Sequence, residues 1–132
     1  MNKHLDLIQF SKFVIVGLSN TLITLAIIFF CSAVLKLDYR ISNFVGYIIG
    51  LFNSFVWNKA WTFKSKNKCR KEIIPFVAMF GVCYLLNLST VILLTEVFMI
   101  NNYFSQGSGM VVYTITNYFG NKYWTFALRS KY

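Results

Sequence analysis

The chain has 132 residues, of which 57% are hydrophobic and only 13% charged, about half the charged share of an ordinary soluble domain. So short a soluble domain could not hide this many Phe, Leu, Ile and Val side chains, so a water-soluble globule is excluded. Three cysteines, Cys31, Cys69 and Cys83, without paired spacing, and a single histidine, His4, leave no basis for a metal centre or a disulfide framework. No metal and no cofactor is expected.

Four apolar stretches follow one another. The first runs from about Phe13 to Leu35, too long for the apolar region of a cleavable signal peptide, so it should remain as a helix. A polar link from Lys36 to Arg40 permits only a tight hairpin into the second stretch, about Ile41 to Phe63. The segment from Lys64 to Glu72 is the most charged in the chain, and the third stretch extends from about Ile73 to Ile100 with Pro75 in its first turn, where the missing N–H costs least. After Asn101 the fourth stretch reaches about Ala127, with a looser start around Ser105 to Gly109. At about 20 residues per span across about 30 Å of hydrocarbon, four transmembrane helices account for the chain. The reading is an all-α integral membrane protein, multi-pass in the cell membrane. It is a single domain of two hairpins, about 10–63 and 73–127, joined by a basic loop at about 64–72.

Orientation follows from the lysines and arginines near the span ends, which cytoplasmic loops retain. One side collects Lys3, Lys12, Lys59, Lys64, Lys66, Lys68, Arg70, Lys71, Lys122, Arg129 and Lys131, whereas the other has only Lys36 and Arg40. Both termini and the basic loop are therefore expected in the cytoplasm. The net charge of +9 could otherwise suggest nucleic acid, but no soluble module remains to bind it. Attraction to anionic lipid accounts for the charge. Glu96, near the outer end of the third helix, is read as a side chain that reaches water.

The sharpest signal is an internal repeat. Asn58-Lys-Ala-Trp-Thr-Phe63 recurs 63 residues later as Asn121-Lys-Tyr-Trp-Thr-Phe126, identical at five of six positions. The first helices correspond more loosely, Phe13 to Gly17 against Val77 to Gly81, at an offset of 64. The chain thus reads as two helical hairpins repeated in parallel. Gly46, Gly50 and Ser54 form a small-residue stripe suited to helix contact. Gly17, Asn20, Thr21 and Thr24 in the first helix, and Gly81, Tyr84 and Asn87 in the third, mark faces expected to turn inward, because amides facing lipid would be unsatisfied.

Trp61, Phe63, Trp124 and Phe126 are expected as interfacial anchors. A belt needs an aromatic and a basic residue, but not Asn directly before Lys in both copies. Asn58, Lys59, Asn121 and Lys122 instead offer an amide donor and a cation at headgroup level, which suits a phosphate. Asn20, Asn53, Ser54, Asn87 and Asn117 are candidate polar path or helix-interface residues.

The duplicated Asn-Lys-x-Trp-Thr-Phe motif, with Phe13, Val16, Gly17, Asn20 and Thr21 in the first helix, resembles the GtrA-like family of small four-helix membrane proteins over about residues 10–127. The resemblance implies flipping of a polyisoprenyl-phosphate-linked sugar, of the undecaprenyl phosphate type, from the cytoplasmic to the outer leaflet for cell-surface polysaccharide glycosylation. Implied partners are that lipid-linked sugar, the surrounding membrane lipids and separate membrane glycosyltransferases, since no transferase domain is fused to this chain. Four helices enclose little space, so a homo-oligomer is expected, or a groove that leaves the lipid tail outside. A competing reading is a non-transporting anchor for a polyprenyl-phosphate glycosyltransferase. A small proton-coupled exporter would need a carboxylate within the first helix, and none lies between Asp6 and Asp38. No nucleophile lies beside a base, so the chain is not read as an enzyme.

Overall fold

The computed structural model describes residues 3–127; Arg129 and Lys131, counted above among the basic residues, lie outside them. Among the described residues there are four helices and no strand: α1 (Lys3–Phe29), α2 (Tyr39–Trp57), α3 (Cys69–Ile92) and α4 (Asn102–Gly120). Each continues into a five-residue π turn, at Phe30–Val34, Asn58–Thr62, Leu93–Val97 and Asn121–Thr125. The chain divides into two compact units, Met1–Lys64 and Ser65–Tyr132, each an antiparallel helical hairpin.

Helices begin earlier than the apolar stretches. Hydropathy marks only the part that suits hydrocarbon, whereas the backbone ladder of α1 continues outward through Asp6 and Gln9 to Lys3. Because α3 starts at Cys69, Pro75 lies inside the helix and not in its first turn. There it leaves the Lys71 carbonyl without its usual amide partner.

The hairpins repeat each other at an offset of 63 throughout. Asp38 caps α2 by accepting from the Arg40 N–H at 2.8 Å, and Asn101 caps α4 by accepting from Tyr103 N–H at 2.8 Å. Such caps satisfy amides that the helix leaves unpaired. Ser42 and Ser105, both fully buried, donate to the Asp38 and Asn101 carbonyls at 3.0 and 3.1 Å. Each preceding turn passes through a left-handed residue, Lys36 (φ 55°) or Met99 (φ 54°). The amides that follow, Leu37 and Ile100, donate to Cys31 and Leu94 at 3.0 and 2.9 Å.

The packing corrects the register of the first helices from 64 to 63. Phe13 packs on Phe63 with ring centroids 6.2 Å apart, and Phe76 packs on Phe126 at 5.9 Å. Val16 and Met79 are likewise buried equivalents. The match of Gly17 to Gly81 was a coincidence of composition: a Cβ at either would meet no atom within 4 Å, and both are exposed with Thr21 and Tyr84. The inward face within each hairpin comprises Phe13, Val16 and Thr24, or Phe76, Met79 and Cys83. Phe63 and Phe126, expected as interfacial anchors, are buried in this interior. The motif ends the helix just where its last ring can meet the partner helix.

Helices α1 and α2 approach closely at Gly46, where a Cβ would lie 2.6 Å from Ile28 Cγ1 and 3.1 Å from the Thr24 carbonyl oxygen. The repeat does the same at Gly109, 2.8 Å from Val91 Cγ2 and 3.2 Å from the Asn87 carbonyl oxygen. Small residues allow this approach where lipid supplies no hydrophobic force between helices. Outward faces are apolar: Leu18, Leu22 and Leu25 on α1, and Ile74, Val77 and Leu85 on α3, are exposed. In water such surface would be prohibitive. Among the described residues, two stretches, Lys3–Val34 and Cys69–Val97, are long and apolar enough to cross a membrane.

Candidate functional site

Both copies of the motif sit on the π turns that close α2 and α4. A π turn widens the helix by one residue and often marks a functional position. Here the Phe63 and Phe126 amides each donate to the carbonyl five residues back, on Asn58 and Asn121, at 2.8 Å. The widened turn brings the asparagine and the threonine of each copy to the inside of its hairpin.

Asn58 and Asn121 are 2% and 1% exposed, and Thr62 and Thr125 are each 4% exposed. The asparagine amide nitrogens bond within their own helices. Asn58 Nδ2 donates to Ser54 Oγ at 3.1 Å. Asn121 Nδ2 donates to the Asn117 carbonyl at 2.9 Å and to Asn117 Oδ1 at 2.6 Å. The side-chain oxygens of Asn58, Thr62, Asn121 and Thr125 have no hydrogen-bond partner. Leaving such groups unmade in a dry interior costs about 1–3 kcal/mol each, and the same pair is left open in both copies. What these asparagines present is an acceptor, and the hydroxyls can donate as well as accept. The amide donor expected from the sequence is committed to the helix.

The lysines lie half-buried beside them. Lys122 Nζ donates to Tyr118 Oη at 3.4 Å and lies 5.5 and 5.6 Å from the Tyr118 and Tyr123 ring centroids. Trp61 is half-buried and Trp124 exposed. In hairpin one, Lys12 Nζ stands 5.2 Å over the Trp61 ring, and Gln9 Nε2 donates to the Thr62 carbonyl at 3.3 Å.

The remaining candidates lie deeper along the helices. Thr24 and the half-buried Asn20 face Gly50, and Asn20 Oδ1 has no partner. Asn53, half-buried one turn from Gly50, has an unpartnered Nδ2. In hairpin two Asn87 Nδ2 makes only a long contact, 3.7 Å, to Met110 Sδ. Asn117 is the acceptor that holds Asn121. Ser54 plays the same part for Asn58.

Sequence reasoning passed over Thr62, Thr125, Gln9, Lys12 and Glu72. The threonines stood inside the repeated motif, so recurrence alone could have nominated them. Glu72 was hidden at the end of the basic loop, yet it is 2% exposed. Its carboxylate accepts from Ser65 Oγ, and from Asn67 Nδ2 at 3.2 Å. Extending the offset of 63 upstream pairs Gln9 with Glu72, which the register of 64 obscured.

Apolar helices paired through glycine contacts, exposed greasy faces and polar groups gathered at the helix ends define a multi-pass helical membrane protein. Within that class, the chain belongs to the GtrA/DPMS transmembrane domain family, which it matches over residues 12–126. It is 29% identical over 122 residues to the cell wall teichoic acid glycosylation protein GtcA of Listeria monocytogenes, covering 89% of this chain and 83% of that one. The GtcA protein of Listeria innocua matches with the same identity and coverage. The uncharacterized membrane protein YngA of Bacillus subtilis is 38% identical over 80 residues, 57% of this chain and 53% of its own.

Proposed function

We propose that the protein is a non-catalytic transporter that moves a polyisoprenyl-phosphate-linked sugar from the cytoplasmic to the outer leaflet, supplying cell-wall glycosylation as the names of the GtcA relatives suggest. All four helices span the membrane in this reading, with both termini and the basic loop in the cytoplasm. Helices α2 and α4 each have 19 residues before a five-residue π turn, about 36 Å at 1.5 Å per residue, which suffices for about 30 Å of hydrocarbon.

The observation that carries the reading is the pair of open acceptor groups beside a lysine in each copy of the motif. Asn58, Thr62 and Lys59 in the first copy, and Asn121, Thr125 and Lys122 in the second, combine a cation for phosphate with acceptors and hydroxyls for sugar hydroxyls. The open groups of Asn20 and Asn53 continue this polarity along hairpin one, and Asn87 and Asn117 along hairpin two. A polar route lowers the penalty of moving sugar hydroxyls through a hydrocarbon layer. The glycosyltransferases that load and unload the lipid are separate chains, and the transporter works as a homo-oligomer.

Expression in a bacterium lacking its own GtcA-type protein tests this reading. Cell-wall glycosylation is expected to return with the native chain and to fall at least tenfold with Lys59→Ala/Lys122→Ala at equal membrane abundance. Full glycosylation by the double variant would remove the phosphate-binding role.

A further inference from the structure

The two copies of the motif share a sequence but not their surroundings. Between the start of α1 and the end of α2 lies a cavity of about 220 Å³ lined by Leu5, Asp6, Ile8, Gln9, Lys12 and Thr62. It is smaller than the roughly 300–1,000 Å³ of pockets that enclose whole drug-sized ligands, and fits a headgroup fragment. Lys12 is held over the Trp61 ring, and the 4%-exposed Thr62 brings a hydroxyl without a partner.

The offset of 63 places Pro75 where hairpin one has Lys12, and Glu72 where it has Gln9. Hairpin two therefore has no equivalent of Lys12. Its corresponding helix start is roofed over: the buried Glu72 carboxylate holds Ser65 and Asn67, and Asn67 Nδ2 also reaches the Ala127 carbonyl at 3.5 Å. An added phosphate there would meet a buried carboxylate, and like charges at close range repel strongly out of water. Hairpin one thus brings Lys12 to the cavity together with the half-buried Asp6.

We propose that Lys12 is a further direct ligand of the anionic phosphate of the lipid headgroup, acting in hairpin one beside Lys59, Thr62 and Gln9, and that hairpin two has no equivalent of it. The proposal rests on the reading of the substrate as a phosphate-bearing lipid.

The test is binding to the full chain in nanodiscs, with farnesyl phosphate as the probe and farnesol and inorganic phosphate in parallel. Saturable binding of farnesyl phosphate is expected, with farnesol much weaker. Loss of a charge-assisted contact should weaken it about tenfold in Lys12→Gln, while Lys12→Arg and Lys66→Gln, a change at an exposed loop lysine, stay within about threefold. Equal weakening by Lys12→Gln and Lys66→Gln, or no effect of Lys12→Gln, would overturn the role of Lys12. Inorganic phosphate binding as tightly as farnesyl phosphate would reassign the cavity to a free anion and overturn the lipid claim. Absence of any binding by the native chain would instead remove the phosphate-lipid reading itself, and this proposal with it.

Discussion

Glu72 shows how a single side chain can govern a loop. Its carboxylate is withdrawn from water among Lys66, Lys68, Arg70 and Lys71, and it gathers Ser65 and Asn67 against the start of α3. Hydrogen bonds to a charged group are worth about 1.5–3 kcal/mol, so their removal should open the loop locally before the hairpin unfolds. Glu72→Ala is expected to speed tryptic cleavage between Lys64 and Lys71 by roughly tenfold or more in detergent. Unchanged cleavage would mean that the loop is held by other contacts. The buried threonines make a second residue-scale case. Thr62→Val and Thr125→Val replace an unpartnered hydroxyl by a methyl group of similar shape, so thermal stability should hold or rise by up to about 1 kcal/mol. Transport by Thr62→Val should nevertheless fall, which separates a substrate contact from a structural one; transport and stability that move together would contradict this.

At the scale of the helix pair, stability depends on close approach at glycines, and at Gly46 and Gly109 the facing helix presents its backbone. Gly46→Leu and Gly109→Leu would drive a side chain into Ile28 or Val91 and into the backbone of the facing helix. Overpacking of this kind costs about 1–3 kcal/mol, whereas Gly17→Leu and Gly81→Leu meet open space and should be neutral or stabilising. Thermal unfolding in detergent distinguishes the pairs, and an equal loss at all four glycines would count against the hairpin packing. The turns after α1 and α3 carry a different constraint, since Lys36 and Met99 occupy the left-handed region. Met99→Gly should be tolerated, while Met99→Val should cost about 1–2 kcal/mol because a β-branched side chain resists that conformation. The same melting experiment reads this effect.

Over the whole molecule, the number and order of helices were legible because apolar runs of helical length punctuated by charge have few other physical solutions. The repeat was legible because Asn-Lys-x-Trp-Thr-Phe is too specific to arise from hydrophobic composition alone. Its true register was not, since Phe13 and Phe76 look like any other apolar residues until their contacts with Phe63 and Phe126 are seen. Burial of Phe63, Phe126 and Glu72 was illegible for a related reason. An aromatic or acidic residue near a span end has the composition of the interface whether it faces headgroups or the partner helix. The hydrogen-bond direction of Asn58 and Asn121 depended on Ser54 and Asn117 one turn back, a local choice between two ends of one amide that composition does not encode.

Transport by the isolated chain is the central claim, and leaflet exposure of a labelled polyisoprenyl-phosphate sugar in liposomes tests it most directly. The account predicts that purified protein accelerates the exchange between leaflets, and that Lys59→Ala/Lys122→Ala returns it to the rate of protein-free liposomes. A folded native protein that leaves the rate unchanged for several candidate sugars, yet co-purifies with a membrane glycosyltransferase, would contradict transport and make the chain an anchor.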